Sequence, residues 1–108
     1  MALRLSPLAR AEEEAYLIGA ALFFGRRFED AVPRLWIAIE TMPAFPNAYR
    51  YLAACYAHMG LLDEARAMIA RLRAIMPEVK VDLPLPYRNP QHRELLLSGL
   101  RLALGENT

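Results

Sequence analysis

The sequence predicts an all-α fold: two stacked helical hairpins, forming a short solenoid, followed by a C-terminal capping helix. Three observations predict it. Apolar residues recur at helical spacing. The chain repeats itself with a period of about 34 residues, a length that suits one helical hairpin. Glycine and proline punctuate the periodic stretches, where helices stop and start.

The period comes first, because it sets the frame for every element. Shifting the chain by one period lays Ile18 on Leu52, Gly19 on Ala53 and Leu22 on Tyr56. It lays Phe28 on Leu62, Ala31 on Ala65, Leu35 on Ile69, Ala38 on Leu72 and Pro43 on Pro77. Small residues meet small and proline meets proline. The small positions, Gly19 and Ala53 in the first helix of each unit and Ala31 and Ala65 in the second, allow the two helices of a hairpin to approach closely. Pro43 and Pro77 end the second helix of each unit, since proline lacks an amide hydrogen and clashes with the preceding turn.

The elements follow in order. Ser6-Pro7 reads as an N-cap followed by proline at the first helical position. The first helix runs from about Pro7 to Phe24 and stops at Gly25. Glu12, Glu13 and Glu14 lie in its early turns, where the helix dipole favours anions. The second helix runs from about Glu29 to Met42, with Pro33 in its first turns. The third runs from about Pro46 to Met59 and ends at Gly60; the fourth starts with Asp63 as N-cap and runs to Met76. Pro84 and Pro86 forbid a regular helix in 79–88, so that stretch is expected to be extended. Asn89-Pro90 starts a last helix, in which Leu95, Leu96, Gly99, Leu100 and Ala103 recur on one face to about Leu104. The expected organisation is thus 1–78 for two hairpins (about 7–43 and 46–77), 79–89 for a proline-containing linker and 90–104 for the capping helix. Such a helix can cover the open face of the last hairpin, as terminal caps do in solenoids.

The bulk numbers agree and exclude several function classes. Of 108 residues, 56% are hydrophobic, too many for a disordered chain. Thirteen Lys and Arg face 12 Asp and Glu, so there is no basic excess with which to bind nucleic acid or an anionic membrane. The longest apolar stretch, from Ala15 to Gly25, is shorter than the roughly 20 residues a membrane span needs. One cysteine, Cys55, forms no intrachain disulfide, and no signal-type segment follows the start. A cytoplasmic location is the expectation.

The second unit carries Tyr49, Leu52, Ala53, Tyr56, Gly60, Ala65, Ile69, Leu72 and Pro77, with the turn Gly60-Leu61-Leu62-Asp63-Glu64-Ala65. On these residues the chain resembles the tetratricopeptide repeat family. The first unit matches more loosely, with Ala15 at the usual aromatic position and Gly25 one residue early. The tail Leu85-Pro86-Tyr87-Arg88-Asn89-Pro90, then His92, Glu94, Leu95-Leu96 and Gly99-Leu100-Arg101, is similar to the ends of bacterial repeat proteins. Several of those look like class III adenylate or guanylate cyclases, and others carry a DNA-binding domain. The resemblance implies that the chain is a stand-alone relative or the C-terminal regulatory segment of such a protein. The cyclase catalytic region has no counterpart in this sequence.

Each candidate site has a plainer role beside it. His58 and His92 lie on different helices without the three or four convergent ligands a metal needs. Cys55, inside the third helix, reads as a buried structural thiol. Glu12, Glu13 and Glu14 point about 100° apart and do not converge on a substrate. Arg26-Arg27 reads as a cationic helix terminus. There is no phosphate loop, nucleophile elbow or serine triad. The expectation is a non-enzyme with no catalytic residues, no metal and no cofactor.

The repeat geometry instead directs attention to an inner surface. It falls on Glu13, Tyr16, Ala20, Phe23 and Phe24 in the first unit and on Asn47, Arg50, Ala54, Ala57 and His58 in the second. A groove there suits a peptide or a partner helix, and Phe23 and Phe24 equally suit an ordinary core. Repeat proteins that clamp a C-terminal carboxylate use Lys and Asn at the positions of Tyr16 and Ala20, so such a clamp is not expected. Tyr16, Phe23, Phe24, Trp36, Arg50 and His58 are the candidate protein-binding residues. Two hairpins are few for a solenoid, and Tyr16, Phe23, Trp36 and Phe45 are too many aromatics for so short a chain to bury unaided. The expected partner is therefore a protein or peptide, and the first hairpin is expected either to form a homodimer or to meet an N-terminal partner domain that this sequence does not contain; neither nucleic acid nor membrane is expected.

Overall fold

The computed structural model describes residues 7–78 and 89–105, and the side chains from Glu14 onward. The chain is all-α: its described residues form five helices, α1 (Pro7–Phe24), α2 (Phe28–Thr41), α3 (Pro46–His58), α4 (Leu62–Ile75) and α5 (Pro90–Ala103), and no strand. The expected cap Ser6 and the expected extended segment 79–88 lie outside the described residues.

The period reappears in the hydrogen bonds. Arg27 N donates to the Leu22 carbonyl at 2.8 Å, and one period later Leu61 N donates to the Tyr56 carbonyl at 2.8 Å. Met42 N donates to the Ala38 carbonyl at 2.8 Å, and Met76 N to the Leu72 carbonyl at 2.9 Å. Both units therefore leave their helices by the same turns. The first turn needs one residue in the left-handed region. Gly60 fills it in the second unit, with φ 81°, and Arg26 in the first, with φ 63°. Gly25 ends α1 as expected, but the left-handed position falls one residue later, on an arginine.

Each hairpin packs α1 on α2 and α3 on α4, and α3 lies against α2 to stack the two units. The small residue at the first crossing is required by distance. A Cβ on Gly19 would stand 2.8 Å from Leu35 Cδ2 and Cγ. The core between the hairpins contains Phe23, Leu35, Ile39, Tyr51, Leu52 and Leu72, each 2% exposed or less. Burying side chains of that size contributes roughly 1.5–3 kcal/mol each.

Two local expectations differ from the structure. Asp63 is not the cap of α4: the helix starts at Leu62, Leu61 holds the N-cap position, and no side chain caps it. Asp63 lies in the first turn, where it favours the helix dipole and stands 4.0 Å from Arg66. Pro33 is the sixth residue of α2, because that helix begins at Phe28. Its missing N–H therefore costs a helical hydrogen bond, at an exposed position.

Candidate functional site

α5 decides the shape of the inner surface. Asn89 caps it, its side chain accepting from Gln91 N at 2.8 Å, with Pro90 in the first turn. Leu95, Leu96, Gly99, Leu100 and Ala103 form its buried face. That face does not extend the stack. Whereas α3 meets the preceding hairpin mainly through α2 and only lightly through α1, α5 meets its preceding hairpin mainly through α3 and lightly through α4. The helix covers the second hairpin from its inner side.

The contact is close and specific. A Cβ on Gly99 would stand 2.7 Å from Ala54 Cβ and 3.0 Å from Ala54 Cα, so only glycine fits this crossing. His58 Nε2 donates to the Leu95 carbonyl at 2.9 Å. A carbonyl only accepts, so this bond requires a proton on Nε2. His58 also stacks on Phe28, with ring centroids 5.1 Å apart and planes at 14°. At the other end of the contact, His92 of α5 stacks on Phe24 of α1 at 4.2 Å and 13°. α5 thus ties both hairpins together across the inner side.

The candidate residues separate into two places. Tyr16, Phe23, Phe24 and His58 belong to one aromatic cluster centred on Tyr51. The Tyr51 ring lies 5.8 Å from Tyr16, 5.3 Å from Phe23 and 5.6 Å from Phe24, and Phe23 lies 6.1 Å from His58. Phe23 is wholly buried. Tyr16 is half-buried and meets Phe45 edge-on at 4.7 Å. Arg50 is 7% exposed and donates to Asn47 Oδ1 at 2.8 Å. Trp36 lies apart, at the seam between the units. Its Nε1 donates to the Tyr56 hydroxyl at 3.0 Å, and the Arg71 guanidinium sits 5.1 Å above its ring.

One expectation fails at this surface. The inner side of α3 is not an open groove, because α5 already covers Ala54 and His58 on it. Of the four aromatics too many to bury together, Phe23 is core, and Tyr16, Trp36 and Phe45 are only partly buried against the core. The apolar residues left out are aliphatic. On the first hairpin they are Leu17 at 57%, Ile18 at 41% and Ile37 at 40% exposed. The period could have pointed to them, since it pairs Leu17 and Ile18 with the buried Tyr51 and Leu52.

The chemistry of the chain is sparse. Burial pushes the Cys55 thiol up from 9.0 to about 12, which keeps it protonated and a poor nucleophile. Among the described residues, no three His, Cys, Asp or Glu side chains are grouped as a metal site would need. No described helix is long and apolar enough to cross a membrane. Arg27 pairs with Asp30 at 2.6 Å within the first turn of α2, so it is tied to α2 and does not neutralise the end of α1.

A family model described as tetratricopeptide repeat matches residues 25–81, more than half of the chain. The match ends before the segment that is similar to the cyclase-type tails, and it lends that likeness no support. Searches of curated proteins and of solved structures return no significant match. The repeated turns, the small-residue crossings and this match agree: the chain belongs to the tetratricopeptide repeat family, whose repeats serve as scaffolds for protein–protein contact.

Proposed function

We propose that this chain is a non-catalytic protein-interaction module that pairs with a second copy of itself through the first hairpin. One observation carries the reading. With the inner surface of α3 covered by α5, the first hairpin still holds Leu17, Ile18 and Ile37 at 40–57% exposure. Leu17, Ile18 and Ala21 stand at i, i+1 and i+4, which places them on one side of α1. Removing such a patch from water is the dominant driving force for association.

Sedimentation equilibrium on the full chain tests the proposal. A dimer mass that persists on dilution is expected, together with a monomer for Leu17→Glu, because a buried carboxylate without a partner opposes association. A wild-type monomer at every concentration would refute self-pairing and transfer the first-hairpin face to a different protein.

A further inference from the structure

Arg26 breaks the repeat at a cost. Its equivalent Gly60 adopts φ 81° without strain, whereas Arg26 at φ 63° carries a Cβ into the left-handed region. Arg27 pairs with Asp30, Arg66 with Asp63 and Arg101 with Glu94, but no carboxylate among the described residues pairs with Arg26. Backbone strain of this kind clusters at ligand clamps and active sites. The Arg26 side chain lines a cleft of about 530 Å³, together with His58 at the end of α3 and Gln91, Glu94, Leu95 and Ser98 of α5. That volume lies in the range of ligand pockets, roughly 300–1,000 Å³. The four residues of α5 stand at i, i+3, i+4 and i+7, one stripe along the helix. The cleft is therefore not the inner groove of α3, which α5 fills; it opens where α5 meets the turn between α1 and α2.

Some polar groups of the cleft already have partners within the chain. Glu94 is held by Arg101 at 3.4 Å. His58 Nε2 donates to the Leu95 carbonyl at 2.9 Å. Ser98 Oγ donates to the same carbonyl at 3.1 Å, which leaves the hydroxyl oxygen able to accept. The Arg26 guanidinium and the Gln91 side-chain amide keep their donors. The charge left without a partner is thus positive. Beside it stand an amide that both donates and accepts and a hydroxyl that accepts, which suits the alternating N–H and C=O of a polypeptide backbone. A guanidinium takes a carboxylate through two parallel N–H···O bonds. Glu94 on the same cleft disfavours a more highly charged phosphate.

We infer that this cleft binds an acidic peptide segment, with the carboxylate of an Asp or Glu side chain on Arg26 and the adjoining backbone along Gln91 and Ser98. A basic segment fits less well, because Glu94 already has its cation. None of the cleft's residues belongs to the apolar patch of α1, so the site does not rest on self-pairing. The glycine that would relax the turn is absent because the turn carries the side chain that recognises the ligand.

An NMR titration of the isotope-labelled full chain tests this, with the blocked peptide acetyl-Ala-Ala-Glu-Ala-Ala-amide as the probe and its Gln counterpart as the control. The Glu peptide is expected to give saturable shifts of the Arg26 Nε–H, the Gln91 side-chain amide and the Ser98 backbone amide. The Gln peptide should bind about ten-fold more weakly or worse, having lost a charge-assisted contact. Arg26→Gly should lose the binding while unfolding at a higher denaturant concentration. Arg26→Lys should keep part of the binding and gain no stability, and that opposition separates the side chain's role from the turn's. Equal affinity for the Gln peptide, unchanged binding in Arg26→Gly, or no saturable shift at these residues would overturn the inference, whatever mass sedimentation gives.

Discussion

Arg26 holds the position at which the second unit places Gly60, and both adopt positive φ. For an L-residue with a Cβ the left-handed region costs about 1–2 kcal/mol, and glycine offsets part of that gain through its greater freedom when unfolded. Arg26→Gly is therefore expected to stabilise the chain by about 0.5–1 kcal/mol. A higher denaturant midpoint with unchanged slope would record it; a lower midpoint would mean that the arginine side chain makes contacts that outweigh the strain. Cys55 sets a pH dependence of known sign. Its thiol ionises near 9.0 when unfolded and near 12 when folded, because burial penalises the thiolate. The stability it contributes is whole below an unfolded value of 9.0 and is lost as pH climbs towards 12. The denaturant midpoint of the wild type should fall more steeply over that window than that of Cys55→Ala. Equal slopes would place the thiol in contact with solvent.

The helices differ in how their starts are secured, and α5 is unlike its neighbours. It alone among α2 to α5 has a side-chain cap, the Asn89 bond to Gln91 N. It also depends on contacts from one side, chiefly α3. Asn89→Ala should cost about 1 kcal/mol. The loss should appear first in amide exchange of α5, while α1 and α2 keep their protection. Uniform loss across all five helices would instead make α5 part of a single cooperative unit. Its glycine has the opposite role to Gly60: Gly99 is needed for lack of a side chain and not for its backbone angle, since Ala54 occupies the space a Cβ would take.

Across the full stack, the two ends are chemically unlike, although the repeat that generates them is regular. Replacing Arg66, Ala70 and Arg73 by the Val, Trp and Ile of their first-unit equivalents would give the α4 end the side chains that α2 buries against α3. The triple variant is expected to form oligomers whose mean mass rises with concentration, beyond that of the wild type. Light scattering over a concentration series reads this directly. A triple variant that keeps the wild-type mass would show that side-chain identity on α4 does not limit stacking.

The repeat, and nearly everything local to it, is legible in the order of residues. Helix ends fall within one or two residues of their expected places, because glycine, proline and apolar period act over a single turn and need no distant partner. The burial of Cys55 and the cap at Asn89 are legible for the same reason. The starts of α2 and α4 are not: Arg27 and Leu61 hold N-cap positions with no side chain that favours them. Which surface is left for a partner emerges from packing alone. The amphipathic pattern of Leu95, Leu96, Leu100 and Ala103 shows that α5 must bury one face, but not where. That depends on Gly99 fitting Ala54 and on His58 reaching the Leu95 carbonyl, contacts between residues distant in the chain. With α5 on the inner side of α3, Phe23 is core, Tyr16, Phe24 and Trp36 are partly buried against it, and Leu17 and Ile18 are among the apolar residues left open. Periodicity states that a face is apolar; only packing states what covers it.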